Sequence, residues 1–262
     1  MSADPNAFLQ RIGESGEGPH DIAHVALMLS ALDHPGTSLE PALAHLRQIA
    51  ETMRAGAGLV HRVTDGAQLL SSLLAGRLGY DGDRMTYDDP QNADLMAVIE
   101  RRRGLPVALG ILYIHAARAV GLRASGLNTR GHFVVRLTHR HDDVAIDPFN
   151  GGAVIGSEAH GHAGLAEQVG DIDVLLRLQN NLKIRALEQG ARERGLELAR
   201  RMTLIAPRRA DLWFDLGRIN EALGVLGAAR KAYEVCLALA VAGEALHNEA
   251  VLSLSQLKRR LN

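Results

Sequence analysis

The hydrophobic pattern of this chain changes period near residue 121, and that change limits the folds open to it. Over residues 106–120 nearly every position is apolar, with Val107, Ala108, Leu109, Ile111, Leu112, Ile114, Ala116 and Ala117 spread around the whole helical circumference. A helix without a polar stripe is one buried in the middle of a domain. Pro106 suits its first turn, where a missing N–H leaves nothing unpaired. Gly121 suits a left-handed residue just past its end. Beyond it apolar and polar residues alternate, the pattern of strands with one face buried. Residues 123–127 read as one strand and 128–131 as a turn. Residues 132–137 and 144–147 read as two strands joined by a polar loop over 138–143, and Pro148-Phe149-Asn150-Gly151-Gly152 closes the unit.

Helical spacing dominates on both sides of this segment. Ile22, Val25, Ala26 and Leu29 mark a helix over 21–32, and Leu39, Leu43, Leu46, Ile49 and Met53 mark another over 39–55. A third is expected over 61–78. After a polar loop, a fourth spans 95–103, with Asn92 or Asp94 as its cap. From about residue 171 the chain is helical again and carries an internal repeat. Trp213-x-x-Leu216-Gly217-x-x-Asn220, then Gly224, Ala229, Tyr233 and Cys236, fits the tetratricopeptide pattern. Leu182, Ala186, Gly190, Ala199 and Pro207 fit a looser copy one repeat earlier, and a final helix is expected over 243–260. These patterns predict an α+β protein in two parts. A mainly helical core with a small antiparallel sheet spans 1–165, and all-α helical repeats span 171–262.

Composition closes several alternatives. The 262 residues include one cysteine, Cys236, so no intrachain disulfide can form and a reducing, cytoplasmic setting is expected. With 29 Lys and Arg against 30 Asp and Glu, charge gives no argument for nucleic acid or an anionic membrane. No run approaches ~18 uncharged apolar residues, and the first residues lack the apolar stretch of a signal peptide. His139, His141, Asp142 and Asp143 read as a solvated hairpin tip, and His160 and His162 as part of a Gly-rich linker. No metal and no cofactor is therefore expected.

If the hairpin turns between His139 and Arg140, His132 faces Asp147, Val134 faces Ala145 and Arg136 faces Asp143 on one side. Phe133 with Ile146 and Val135 with Val144 then form a wholly apolar side. A slip of one residue would mix the two. Opposed Cβ atoms lie ~4.5–5.5 Å apart. The pairing would put a carboxylate beside an imidazole, as in the base-and-orienter half of a catalytic triad. The buried helix that should supply a nucleophile begins Pro106-Val107-Ala108, and Cys236 lies within the repeat. A structural pair, a binding site and live catalysis all remain open for His132 and Asp147. The run Arg101-Arg102-Arg103 either grips a carboxylate or phosphate or complements a helix C-terminus.

Further motifs join these: Tyr87-Asp88-Asp89-Pro90-Gln91-Asn92, Glu100 through Leu109, Gly121-Leu122, Gly131-His132-Phe133-Val134-Val135-Arg136 and Ile146 through Gly152. With them the chain resembles, over about residues 20–240, the bacterial SirB-type proteins, which join a transglutaminase-like core to C-terminal tetratricopeptide repeats. The resemblance implies a papain-like transglutaminase fold and carries the family's His and Asp onto His132 and Asp147. It sets the nucleophile position near 106–108, where SirB-type proteins commonly have a hydroxyl residue and this chain has Ala108. The expected protein is a non-catalytic one that binds a peptide or protein partner through a relic cleft and its repeats. Asn92, Arg101, Arg102, Arg103 and Asn150 are its expected binding residues. The alternative is a hydrolase or acyl transferase in which His132 and Asp147 work without a cysteine.

Overall fold

The computed structural model describes residues 4–129, 133–155 and 167–261. Contacts group these into two units, one over residues 17–178 and one formed by residues from 179 onward together with the N-terminal helix α1 (Pro5–Ser15). Sequence spacing did not pick out α1. It packs on α8 (Arg192–Ile205), so closely that a Cβ on Gly13 would stand 2.0 Å from the carbonyl oxygen of Leu204.

The first unit opens with α2 (Ile22–Ala31), whose first turn is capped by Asp21 accepting from the amide of His24 at 3.2 Å. α3 (Glu40–Ala55) turns Leu46, Ile49 and Met53 inward. α4 (Val63–Ser71) continues as a wider π-turn over Ser72–Arg77. β1 (Asp81–Gly82) pairs in parallel with β2 (Arg103–Gly104), and between them lies α5 (Leu95–Arg101). The cap of α5 is Asp94, which accepts from the amides of Met96 and Ala97.

α6 (Pro106–Ala119) is the buried helix that its composition demands: ten of its fourteen residues are buried. It lies against a five-stranded antiparallel sheet of β3 (Arg123–Asn128), β4 (Phe133–His139), β5 (Asp142–Asp147), β6 (Ala153–Ile155) and β7 (Glu167–Val169), in the order β6-β5-β4-β3-β7. The apolar side of the hairpin, Phe133, Val135, Leu137, Val144 and Ile146, is buried. The Phe133 ring reaches both helix and sheet through two glycines. A Cβ on Gly110 of α6 would stand 2.3 Å from its Cε1, and one on Gly126 of β3 would stand 2.8 Å from its Cε2. On the other side Leu127, Val134 and Ala145 form a small cluster under Ile155. The helix end is locked by Asp171, whose carboxylate takes two bonds from Arg118 (2.7 and 2.8 Å) and one from the amide of His20 (2.8 Å).

The hairpin register differs from the expected one by two residues. Arg136 faces Ala145, Val135 faces Ile146 and Thr138 faces Asp143. The strands run on through the polar stretch to a two-residue turn at Arg140 and His141, with Arg140 in the left-handed region (φ 54°). Two-residue turns with positive φ match the twist of paired strands. A slip of two preserves both faces, so the Arg136–Asp143 ion pair survives as a diagonal contact of 3.1 Å. The directly opposed pairs therefore shift by two along the hairpin. His132 lies outside the described residues, as do His160 and His162.

In the second unit α8, α9 (Ala210–Ala222), α10 (Leu226–Leu239) and α11 (Ala245–Leu261) pack in succession, after α7 (Asp171–Glu188). Leu196, Ala199, Leu216, Ile219 and Ala232 form one core, and Ala229, Tyr233, Leu254 and Leu257 the next. Gly217 lets the Tyr233 ring approach to 2.5 Å of where a Cβ would be. Trp213 is only partly buried, and its indole N–H donates to the carbonyl of Pro207 at 2.8 Å.

Gly110→Ala sets two effects against each other. Helix propensity favours alanine by about 1 kcal/mol. A methyl 2.3 Å from a buried ring cannot be accommodated without displacing it, and overpacking costs about 1–3 kcal/mol. The variant is expected to be less stable by denaturant titration, with an unchanged m-value.

Candidate functional site

Asp147 ends β5, and its carboxylate turns back onto the loop that follows. Oδ1 accepts from the amides of Phe149 (2.9 Å) and Asn150 (3.3 Å), and Oδ2 accepts from the Asn150 side chain at 2.6 Å. The 3-10 turn Pro148–Asn150 is thereby capped. Arg84 closes the loop from outside, donating to the Phe149 carbonyl (3.0 Å) and to Oδ1 of Asn150 (2.7 Å) while its guanidinium lies over the Phe149 ring. Asn150 is thus a tie between Asp147 and Arg84. Ser71 donates to the carbonyl of Gly151 at 2.7 Å. Gly152, at φ +75°, sits against Tyr113 of α6, where a Cβ would stand 2.7 Å from the ring. The Tyr113 hydroxyl is buried and has no hydrogen-bond partner among the described residues. Burial first, and then the charges of Asp81 and Asp147, push its pKa above the ordinary phenol value.

At the start of α6 the chain presents Pro106, Val107 and Ala108, with the last two buried. None offers a nucleophilic atom. Cys236 is fully buried in the second unit, and burial with the nearby Asp211 raises its pKa.

The three consecutive arginines go to three places. Arg101 turns inward to Asp83 (3.1 Å) and to Oδ1 of Asn92 (3.1 Å). Asn92 is wholly buried and donates to the Thr86 carbonyl at 2.6 Å, so it braces the loop before α5 and is not a cap. The Thr86 hydroxyl and amide, with further donors, hold the Asp83 carboxyl well below the usual carboxylate range. Arg102 occupies the left-handed region (φ 59°) as the C-cap of α5. Its Nη1 bonds to the Tyr80 hydroxyl and to Nε2 of His45 (2.8 Å). Arg103 is exposed and donates to the carbonyls of Gly79 and Arg102.

The cluster of His45, Tyr80 and Arg102 was not anticipated. His45 Nε2 lies 3.0 Å from the Tyr80 hydroxyl and 2.8 Å from Arg102, so it serves as an acceptor and the ring must be neutral. Burial, then the Arg102 charge, lower its pKa from 6.5 to about 4. Tyr80 is buried and its pKa is pushed up to about 12 by that burial. Among the described residues no group of three or more His, Cys, Asp or Glu side chains could hold a metal ion, and no helix is long and apolar enough to cross a membrane.

A transglutaminase-like core followed by helical repeats is the class that this fold defines, and comparison with known proteins agrees. Residues 40–180 match the transglutaminase-like superfamily and residues 182–254 match the tetratricopeptide repeat. The chain belongs to the transglutaminase-like superfamily, in the SirB-type arrangement of core and repeats. It is similar to a UPF0162 protein of Xylella fastidiosa, 42% identical over 82 residues, which are 31% of this chain and 29% of that protein. A UPF0162 protein of Vibrio cholerae is 30% identical over 134 residues, 50% of this chain and 49% of that protein. The mouse F-box only protein 21 is 28% identical over 103 residues, 38% of this chain but 16% of that protein. The matched stretches thus span half or less of these relatives.

The lowered pKa of His45 carries a pH dependence with a definite sign. The unfolded chain takes up this proton near 6.5 and the folded chain only near 4, so acid in that window favours unfolding. Stability should fall as pH drops from 6.5 to about 4. His45→Gln keeps an acceptor but cannot titrate. It should remove on the order of 1–2 kcal/mol of that decline, allowing for solvent screening of a partly exposed ring. Melting curves of both proteins across the window would test this, and parallel curves would refute it.

Proposed function

We propose that this protein is a non-catalytic binding protein, in which a transglutaminase-like core without a nucleophile and a short stack of helical repeats together engage a peptide or protein partner. The observation that carries this is the start of α6. The place where a nucleophile is expected holds Pro106, Val107 and Ala108. The chain's one thiol, Cys236, is buried in the other unit with a raised pKa, the opposite of a reactive cysteine. One further feature supports the non-catalytic reading: the Asp147 carboxylate is engaged in capping its own turn. Arg101 and Asn92, two of the expected binding residues, are instead bonded into the loop before α5. Tetratricopeptide-like repeats commonly mediate protein contacts, and a free cysteine in an otherwise disulfide-free chain fits the reducing cytoplasm.

The competing reading is a hydrolase or acyl transferase in which His132, oriented by Asp147, activates water directly. The two differ in turnover. The purified chain, incubated with glutamine-donor and peptide–amide libraries, is expected to show no ester or thioester adduct by intact-mass spectrometry. A thiol reagent should label Cys236 only after denaturant is added. Hydrolysis that disappears in a folded His132→Ala variant would replace the binding reading with the enzymatic one.

A further inference from the structure

A cleft of about 680 Å³ opens between the end of α2, α3 and α5. Its lining includes Arg102 and His45, the His34–Asp94 pair, Glu100 and the apolar Pro41 and Met96. It shares no lining residue with the Asp147 loop. Among the described residues the partners of the Arg102 guanidinium are all neutral. Two other partly buried arginines of the same unit, Arg101 and Arg118, are each paired with a carboxylate, at 3.1 and 2.7 Å. Arg102 is also half-buried, yet among the described residues no carboxylate lies within ion-pair range of it. Its charge rests on neutral groups: the Tyr80 hydroxyl and ring face, and the unprotonated His45. A guanidinium removed from water without a counter-charge is costly. The backbone that holds it there is left-handed at a non-glycine residue (φ 59°), a strain that clusters at binding sites.

Only Nη1 of Arg102 is engaged by those neutral partners. The Nε and Nη2 edge is left, and that edge presents two parallel N–H donors matched to the two oxygens of a carboxylate. We propose that this cleft binds a carboxylate on the open edge of Arg102, with a short apolar group of the ligand against Pro41 and Met96. A single negative charge fits better than a phosphate, because Glu100 and Asp94 also line the cleft and would repel a dianion. The acid has two possible sources, a peptide C-terminus or a free small acid. Neither depends on whether the Asp147 loop binds anything.

The full chain would be titrated by calorimetry with N-acetyl-alanyl-leucine, its C-terminal amide, 4-methylpentanoate and inorganic phosphate. Both acids should bind, the amide at least tenfold more weakly than its acid, and phosphate more weakly than either. A tighter peptide assigns the site to chain termini, and an equal or tighter small acid assigns it to free acids. Arg102→Gly suits the left-handed backbone and removes the charge, so it should keep the melting temperature and lose at least tenfold in affinity. Should that variant unfold, Glu100→Gln decides the matter at an exposed position. Removing the like charge should tighten carboxylate binding two- to threefold. Equal binding of acid and amide, preference for phosphate, no binding of either acid at 10 mM, or no response to these substitutions would overturn the assignment.

Discussion

The Phe133 ring is where the sheet meets helix α6, and the geometry of the first unit hangs on that contact. α6 is apolar nearly all round, with His115 and Arg118 its partly exposed polar residues, so most of it must be covered, and the sheet covers one side only if β3 and β4 come close. Gly110 and Gly126 give the ring that room. Once β4 is seated, β5 follows by antiparallel pairing, and its end brings Asp147 and the loop to Gly152 against Tyr113 of the same helix. Ser71 then bonds the carbonyl of Gly151. The Asp147 cap is local and sets the shape of the loop, whereas its position depends on the apolar packing of the sheet and on the long-range bonds from Ser71 and Arg84.

The elements that reveal themselves in sequence are those with enough residues to show a period. α2, α3 and α6 do so, and so does the alternation of β3, β4 and β5. Elements too short for a period escape. β6 and β7 have three residues each, and α1 has one short apolar face placed among polar residues. The register error has a physical cause. Faces repeat every two residues, so alternation cannot tell a register from one displaced by two. The turn decides, and the turn here rests on Arg140 adopting a left-handed backbone within a stretch that is polar throughout. Nothing in the residue types marks that one position.

The candidate site was legible only where it is local. The step from β5 into Pro148-Phe149-Asn150 announces Asp147 as a residue at a strand end. The cluster of His45, Tyr80 and Arg102 does not announce itself, because its members are 35 and 22 residues apart and belong to a helix, a loop and a helix cap. Asn92 illustrates a similar limit. A polar residue in a polar loop looks like a cap, yet it is fully buried because it satisfies the carbonyl of Thr86 and the charge of Arg101 at once. Buried polar residues of this kind are recognised by their partners, which are a tertiary property.

The left-handed turn at Arg102 divides what looks like a single basic block. Its neighbours face the interior on one side and solvent on the other, so three successive positive charges meet three different sets of partners. A long polyanion passing over this region would meet one exposed guanidinium, that of Arg103, and lose the release of counterions that makes basic runs sticky. Linear charge density and surface charge density are different quantities, and a single residue at positive φ is enough to separate them.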